Sequence, residues 1–297
     1  MPTYPVSAPL VTPFTAENEV DTDALASLVD AIERRGVDGV APCGTTGEFA
    51  SLTREEYQRV VEVTAETADG RVVAGVADTS VAGVRSRIET ASRAGCDAVL
   101  LTGPYFHTEN ASGGTDRFLR AAVADSPLPV YLYNLPAYVG TELDPSTVAG
   151  LAEDGVVDGL KDSGGDLDYL LTLARETPDG FELYCGVDSL LVPALVSGAT
   201  GGVNALANVV PEVFDAATAA LAAGDVERAV TLSQTAIAPL FEQCATHGFA
   251  PATKVAATSR GFLESAAVRP PLVDLAADER EEVADAVENA LAVVESA

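Results

Sequence analysis

The sequence predicts an α/β protein of the (β/α)8 TIM-barrel class with a C-terminal helical extension. Three observations predict it. Short apolar runs alternate with longer helical patterns about every 25 to 30 residues, the rhythm of repeated strand–helix units. Eight such units follow one another, and 297 residues suit one barrel with an addition better than two separate folds.

In chain order the strand candidates are residues 6–10, 39–42, 72–77, 98–102, 130–134, 157–161, 182–186 and 201–204. Several are valine-rich and nearly free of charge, as strands covered on both faces must be. A helical pattern follows each. Thr53-Arg54-Glu55-Glu56 carries the side chains of a capping box and starts a helix after the second strand, while Pro145 and Pro211 stand where first-turn prolines are tolerated. Beyond the eighth unit, residues 225–244, 251–260 and 278–295 read as further helices, the last with Val283, Val287, Leu291 and Val294 on one face. The expected division is a barrel over residues 1–224 and an extension over 225–297. The extension is expected to pack on the outside of the barrel, with a subunit interface as the alternative.

Charge narrows the function classes. The chain has 45 acidic and 17 basic residues, a formal net charge of −28, and its only lysines are Lys161 and Lys254. Nucleic-acid binding, which needs positive charge facing phosphates, is excluded on this ground. The acids are spread among well-patterned apolar positions, which argues against a disordered tail and for a salt-adapted, halophilic surface. In molar salt the Debye length falls to about 3 Å, and repulsion between surface carboxylates is screened. No apolar run approaches the roughly 18 to 20 residues that cross a bilayer, and Met1-Pro2-Thr3-Tyr4 has none of the character of a signal peptide; a soluble cytoplasmic protein is expected. Cys43, Cys96, Cys185 and Cys244 lie far apart and His107 and His247 form no metal motif, so buried free thiols and no metal or cofactor are expected.

In a parallel barrel the loops after the strands open on one face, and reactive residues sit there. Three features occupy such places. Lys161 ends the sixth strand, where lost hydration disfavours an ammonium group and makes a neutral amine available to a carbonyl; a lysine paired with the adjacent Asp162 is the competing reading. Tyr133, near the end of the fifth strand, can shuttle protons, or simply pack as an amphipathic ring. Gly44-Thr45-Thr46-Gly47-Glu48, after the second strand, offers two hydroxyls and backbone amides to a carboxylate, or serves as an ordinary strand-to-helix turn. It has neither the lysine nor the spacing of a nucleotide loop.

Together these motifs resemble the N-acetylneuraminate lyase and dihydrodipicolinate synthase family over most of the chain, from Pro9-Leu10-Val11-Thr12-Pro13-Phe14 to about Asn204. The resemblance implies a barrel that forms an imine with pyruvate and assembles as a homo-oligomer, a tetramer. It makes Lys161 the imine-forming residue, Tyr133 the general acid/base, and Thr45 and Thr46 the carboxylate holders and proton relay, with Gly186 and Asn204 lining the substrate pocket. Dihydrodipicolinate synthases have an arginine soon after Y-N-x-P for a second carboxylate; here Tyr138 stands at that place, and Tyr105-Phe106-His107 replaces their paired tyrosines. The pattern is more similar to archaeal 2-keto-3-deoxygluconate aldolases, which cleave the sugar acid or its 6-phosphate to pyruvate and glyceraldehyde or its 3-phosphate. A small-molecule keto acid is then the partner; Lys254 is a candidate for holding a phosphate, but a surface or structural lysine is the preferred reading. A sugar-acid dehydratase of the same family, dihydrodipicolinate synthase itself and a non-catalytic metabolite-binding barrel are the other readings.

Overall fold

A computed structural model describes residues 3–107 and 113–295. Eight strands, β1 (Val6–Ala8), β2 (Gly39–Val40), β3 (Arg71–Gly75), β4 (Ala98–Thr102), β5 (Val130–Asn134), β6 (Gly159–Asp162), β7 (Glu182–Cys185) and β8 (Gly201–Val203), close in sequence order into a barrel. Every neighbouring pair is parallel, including the closing β1–β8 pair. Most strands are shorter than their apolar runs. After β2 the chain leaves the ladder, turning through a left-handed Cys43 (φ 58°). β6 begins two residues later than the run suggests because the Asp158 side chain, rather than a strand carbonyl, accepts the Val130 N–H at 2.8 Å.

Strand alternation sorts side chains into two layers. Ala98, Leu100, Tyr131, Tyr133 and Tyr184 meet inside the barrel, whereas Val99, Leu101, Leu132, Leu160 and Leu183 face the surrounding helices. The strand starts are closed by a polar plug. Arg71 donates to the Tyr131 hydroxyl at 2.6 Å, and Tyr131 and Tyr184 donate to Glu182 Oε2 at 2.5 and 3.0 Å.

Helix Arg54–Thr67 opens with the expected capping box, Thr53 Oγ1 accepting from Glu56 N and Glu56 Oε2 from Thr53 N. Pro145–Glu153 and Pro211–Ala222 begin with first-turn prolines. The extension comprises one helical stretch from Val226 to His247 with a π-turn at Ser233–Ile237, then Phe249–Ser259 and Ala277–Glu295. It shares the barrel's core, since Leu240, Cys244, Ala252, Val283 and Val287 belong to the same buried cluster as the layer between strands and helices. The four cysteines are buried and unbonded. Among the described residues no helix is long and apolar enough to cross a membrane.

Candidate active site

At the strand C-termini a cavity of about 170 Å³ opens, faced by Thr45, Thr46, Tyr133, Lys161, Gly186 and Asp188. Pairing of β5 with β6 places Tyr133 beside Lys161 in register. The Lys161 Nζ lies over the face of the Tyr133 ring, 4.2 Å from its centroid, and the lysine is only 4% exposed. Alternation bears on the competing reading for Lys161. Asp162 turns to the other side of the strand, where its Oδ1 accepts from Asn134 Nδ2 at 2.7 Å and Gly164 N at 3.1 Å. Burial pushes that carboxyl above its ordinary pKa.

Gly186 makes the room that the lysine uses. A Cβ at this position would stand 2.6 Å from Lys161 Cε and 2.1 Å from Ser163 Oγ, so any side chain would displace the amine. The loop of residues 44–48 is bracketed by two left-handed residues, Cys43 and Glu48 (φ 55°), and closed by Glu48 N donating to Thr45 O at 3.1 Å. Its threonines face the cavity, and Thr45 also lines an adjoining apolar recess with Thr102, Tyr105, Leu135 and Tyr138.

One sequence expectation needs correction. Asn204 is fully buried and does not face the cavity; Val203 and Ala205 do, because the residue after an inward-facing Val203 points away. Of the readings of Lys254, its burial favours the structural one: it is as buried as Asn204 and closed to a phosphate. Its Nζ donates to Glu48 Oε1 at 2.5 Å and to Ala267 O at 2.8 Å. Burial lowers its pKa to about 8, and Glu48 opposes that shift. His107 is exposed and lies edge-on to Phe106.

Asp188 was not singled out from the sequence. It is 1% exposed, accepts from Leu206 N at 2.8 Å through Oδ1, and has no partner for Oδ2 among the described residues. Burial raises its pKa to about 6, against the pull of its hydrogen bond and of Lys161. Its place, two residues past Gly186 at a strand exit, is the signal that could have found it. Ser163 and, from the extension, Phe241 and Phe249 also line the cavity. Among the described residues Lys161 is the one lysine or arginine that faces the cavity, and Tyr138, 63% exposed at its rim, brings no charge.

Chemically, the site combines a buried amine, an adjacent phenol, a pair of hydroxyls on an amide-rich turn and a buried carboxylate. The sequence profile of the dihydrodipicolinate synthetase family matches residues 3–290. A 4-hydroxy-tetrahydrodipicolinate synthase of Exiguobacterium is 32% identical over 286 residues, covering 95% of this chain and 96% of that one. The 4-hydroxy-tetrahydrodipicolinate synthase of Methylacidiphilum fumariolicum superposes with a TM-score of 0.92 at 29% identity, covering 99% and 98% of the two chains. YagE, a prophage protein of the dihydrodipicolinic acid synthase family from E. coli solved in complex with pyruvate, gives a TM-score of 0.91 at 26% identity, covering 97% and 98%.

Proposed function

From its membership of the dihydrodipicolinate synthetase family, whose members are pyruvate-dependent lyases and aldolases, we propose that this enzyme is a class I aldolase cleaving 2-keto-3-deoxygluconate to pyruvate and glyceraldehyde. The observation that carries the reading is the buried Lys161 amine over the Tyr133 ring, in a cavity faced by no other lysine or arginine among the described residues. Attack of the amine on the C2 ketone, with loss of water, gives a protonated imine. Tyr133 takes the C4 hydroxyl proton as the C3–C4 bond breaks, and the bonding electrons flow into the imine to leave an enamine. Glyceraldehyde departs, a proton returns to C3, and hydrolysis frees pyruvate and the amine. Thr45 and Thr46 hold the carboxylate and relay protons, Gly186 leaves the imine its space, and Asp188 accepts hydrogen bonds from substrate hydroxyls.

Two features favour the unphosphorylated sugar acid over a substrate with a second anionic group. Tyr138 stands where an arginine would bind a second carboxylate, and Lys254 is sealed beneath the loop, out of reach of a phosphate. The names of the relatives favour a second reading, 4-hydroxy-tetrahydrodipicolinate synthase. Incubation with 2-keto-3-deoxygluconate, coupled to lactate dehydrogenase, should release pyruvate. Loss of substrate with the carbon chain intact would make the enzyme a dehydratase, and no turnover of the sugar acid at all would favour the synthase.

A further inference from the structure

Lys254 lies 93 positions beyond Lys161 in the chain, in helix Phe249–Ser259 of the extension, yet it is tied to the loop that carries Thr45 and Thr46. Both side chains of the Lys254–Glu48 pair are without exposed surface, at an Nζ–Oε1 distance of 2.5 Å. The ammonium also lies 4.0 Å from the centroid of the Phe14 ring and donates to Ala267 O. The second Glu48 oxygen accepts from Arg269 N at 3.0 Å. The Arg269 guanidinium in turn donates to Ser51 O at 3.0 Å and grips Glu56 at 2.8 and 2.5 Å. The extension therefore holds the last residue of the loop by both carboxylate oxygens. That residue is left-handed and closes the turn onto Thr45 O.

A buried ion pair is poorly explained by stability, because well-packed apolar side chains of similar volume often serve a fold as well or better. What such a pair adds is a fixed geometry between two charged atoms. We propose that Lys254 and Glu48 are positioning residues. The pair locks the backbone of residues 44–48 from below so that Thr45 and Thr46 present their hydroxyls and amides to the substrate carboxylate. The C-terminal extension is thereby a working part of the substrate site. The carboxylate half of this inference rests on the proposed pyruvate chemistry; the loop-locking half does not.

Lys254→Met alone strands a buried carboxylate and can fail to fold, so the decisive variant is Glu48→Leu/Lys254→Met, which removes both charges. Two measurements bear on it: borohydride trapping of pyruvate at graded concentrations, and amide hydrogen exchange of the loop. The double variant should melt cooperatively and still trap pyruvate on Lys161 at saturation. Half-maximal trapping should need about tenfold more pyruvate, and the loop amides should exchange about tenfold faster while the barrel strands are unchanged, each corresponding to about 1.4 kcal/mol. A merely structural pair would lower the melting temperature without this selective loss. A folded double variant with half-maximal trapping and loop exchange both within about twofold of the parent would overturn the proposal. If the parent itself traps no pyruvate, the aldolase reading fails, and unchanged loop exchange would then be what sinks the loop-locking role.

Discussion

At Asp188 a carboxylate is buried beside the amine of Lys161, and its pKa, raised from 3.8 to about 6, links residue chemistry to pH. The folded value lies above the unfolded one, so the stability this group contributes is fully present below pH 3.8 and is lost as pH rises through 6. At pH 7.5 a charged, half-satisfied carboxylate is held out of water. Asp188→Asn should therefore stabilise the protein at pH 7.5, by up to about 3 kcal/mol from the size of the shift, with the gain gone near pH 4. Denaturant unfolding at the two pH values checks this, and an equal gain at both would contradict it. Lys161, Tyr133 and the two threonines could be read from the sequence because strand ends in a barrel share one face. Asp188 could not be weighed in the same way, since neither its burial nor its free oxygen is written in Gly186-Val187-Asp188. Lys254 was readable as unusual, being one of two lysines, but its partner Glu48 is 206 residues away and only the closed fold brings them together.

The elements divide the work between strand register and capping. β5 and β6 put phenol and amine side by side, and the loop after β2 meets them across the barrel mouth, held below by the extension. Helix Arg54–Thr67, which follows that loop, is fixed by Glu56, at once the returning half of the capping box and the partner of Arg269. The hydrogen bond from Arg269 holds the Glu56 pKa near 2, from an ordinary 4.5, with burial opposing it. This depressed value gives stability that is present above pH 4.5 and lost as pH falls through 2. Glu56→Gln should accordingly destabilise at pH 7, the deficit shrinking steadily between pH 4.5 and 2. A deficit independent of pH in thermal melts would rule the charge out as its source. Strand order and helix starts were legible because periodicity and caps are local signals. Strand ends were not, because where a ladder stops depends on such partners as Asp158 and on the turn at Cys43, and the extension's reach over the mouth through Phe241 and Phe249 depends on long-range packing.

For the whole molecule, the net charge of −28 sets a self-repulsion that we read as adaptation to salt. Raising KCl from 0.1 to 2 M shortens the Debye length from about 10 Å to under 3 Å, so the melting temperature should climb through that range. A flat or falling curve would contradict the salt-adapted surface. Phe106 is a large apolar side chain left 65% exposed, and we propose that it meets a second copy of the chain in the expected homo-oligomer. Light scattering should give a multimer, a tetramer by family resemblance, and Phe106→Glu should reduce its mass; a monomeric parent would remove the proposal. The most direct test uses the near absence of lysine. Reduction with borohydride in the presence of pyruvate, followed by peptide mass mapping, should place one adduct on Lys161, none on Lys254, and should still do so in Tyr133→Phe as cleavage slows by about a hundredfold or more. An enzyme that turns over its substrate with no adduct on Lys161 would contradict the imine mechanism outright.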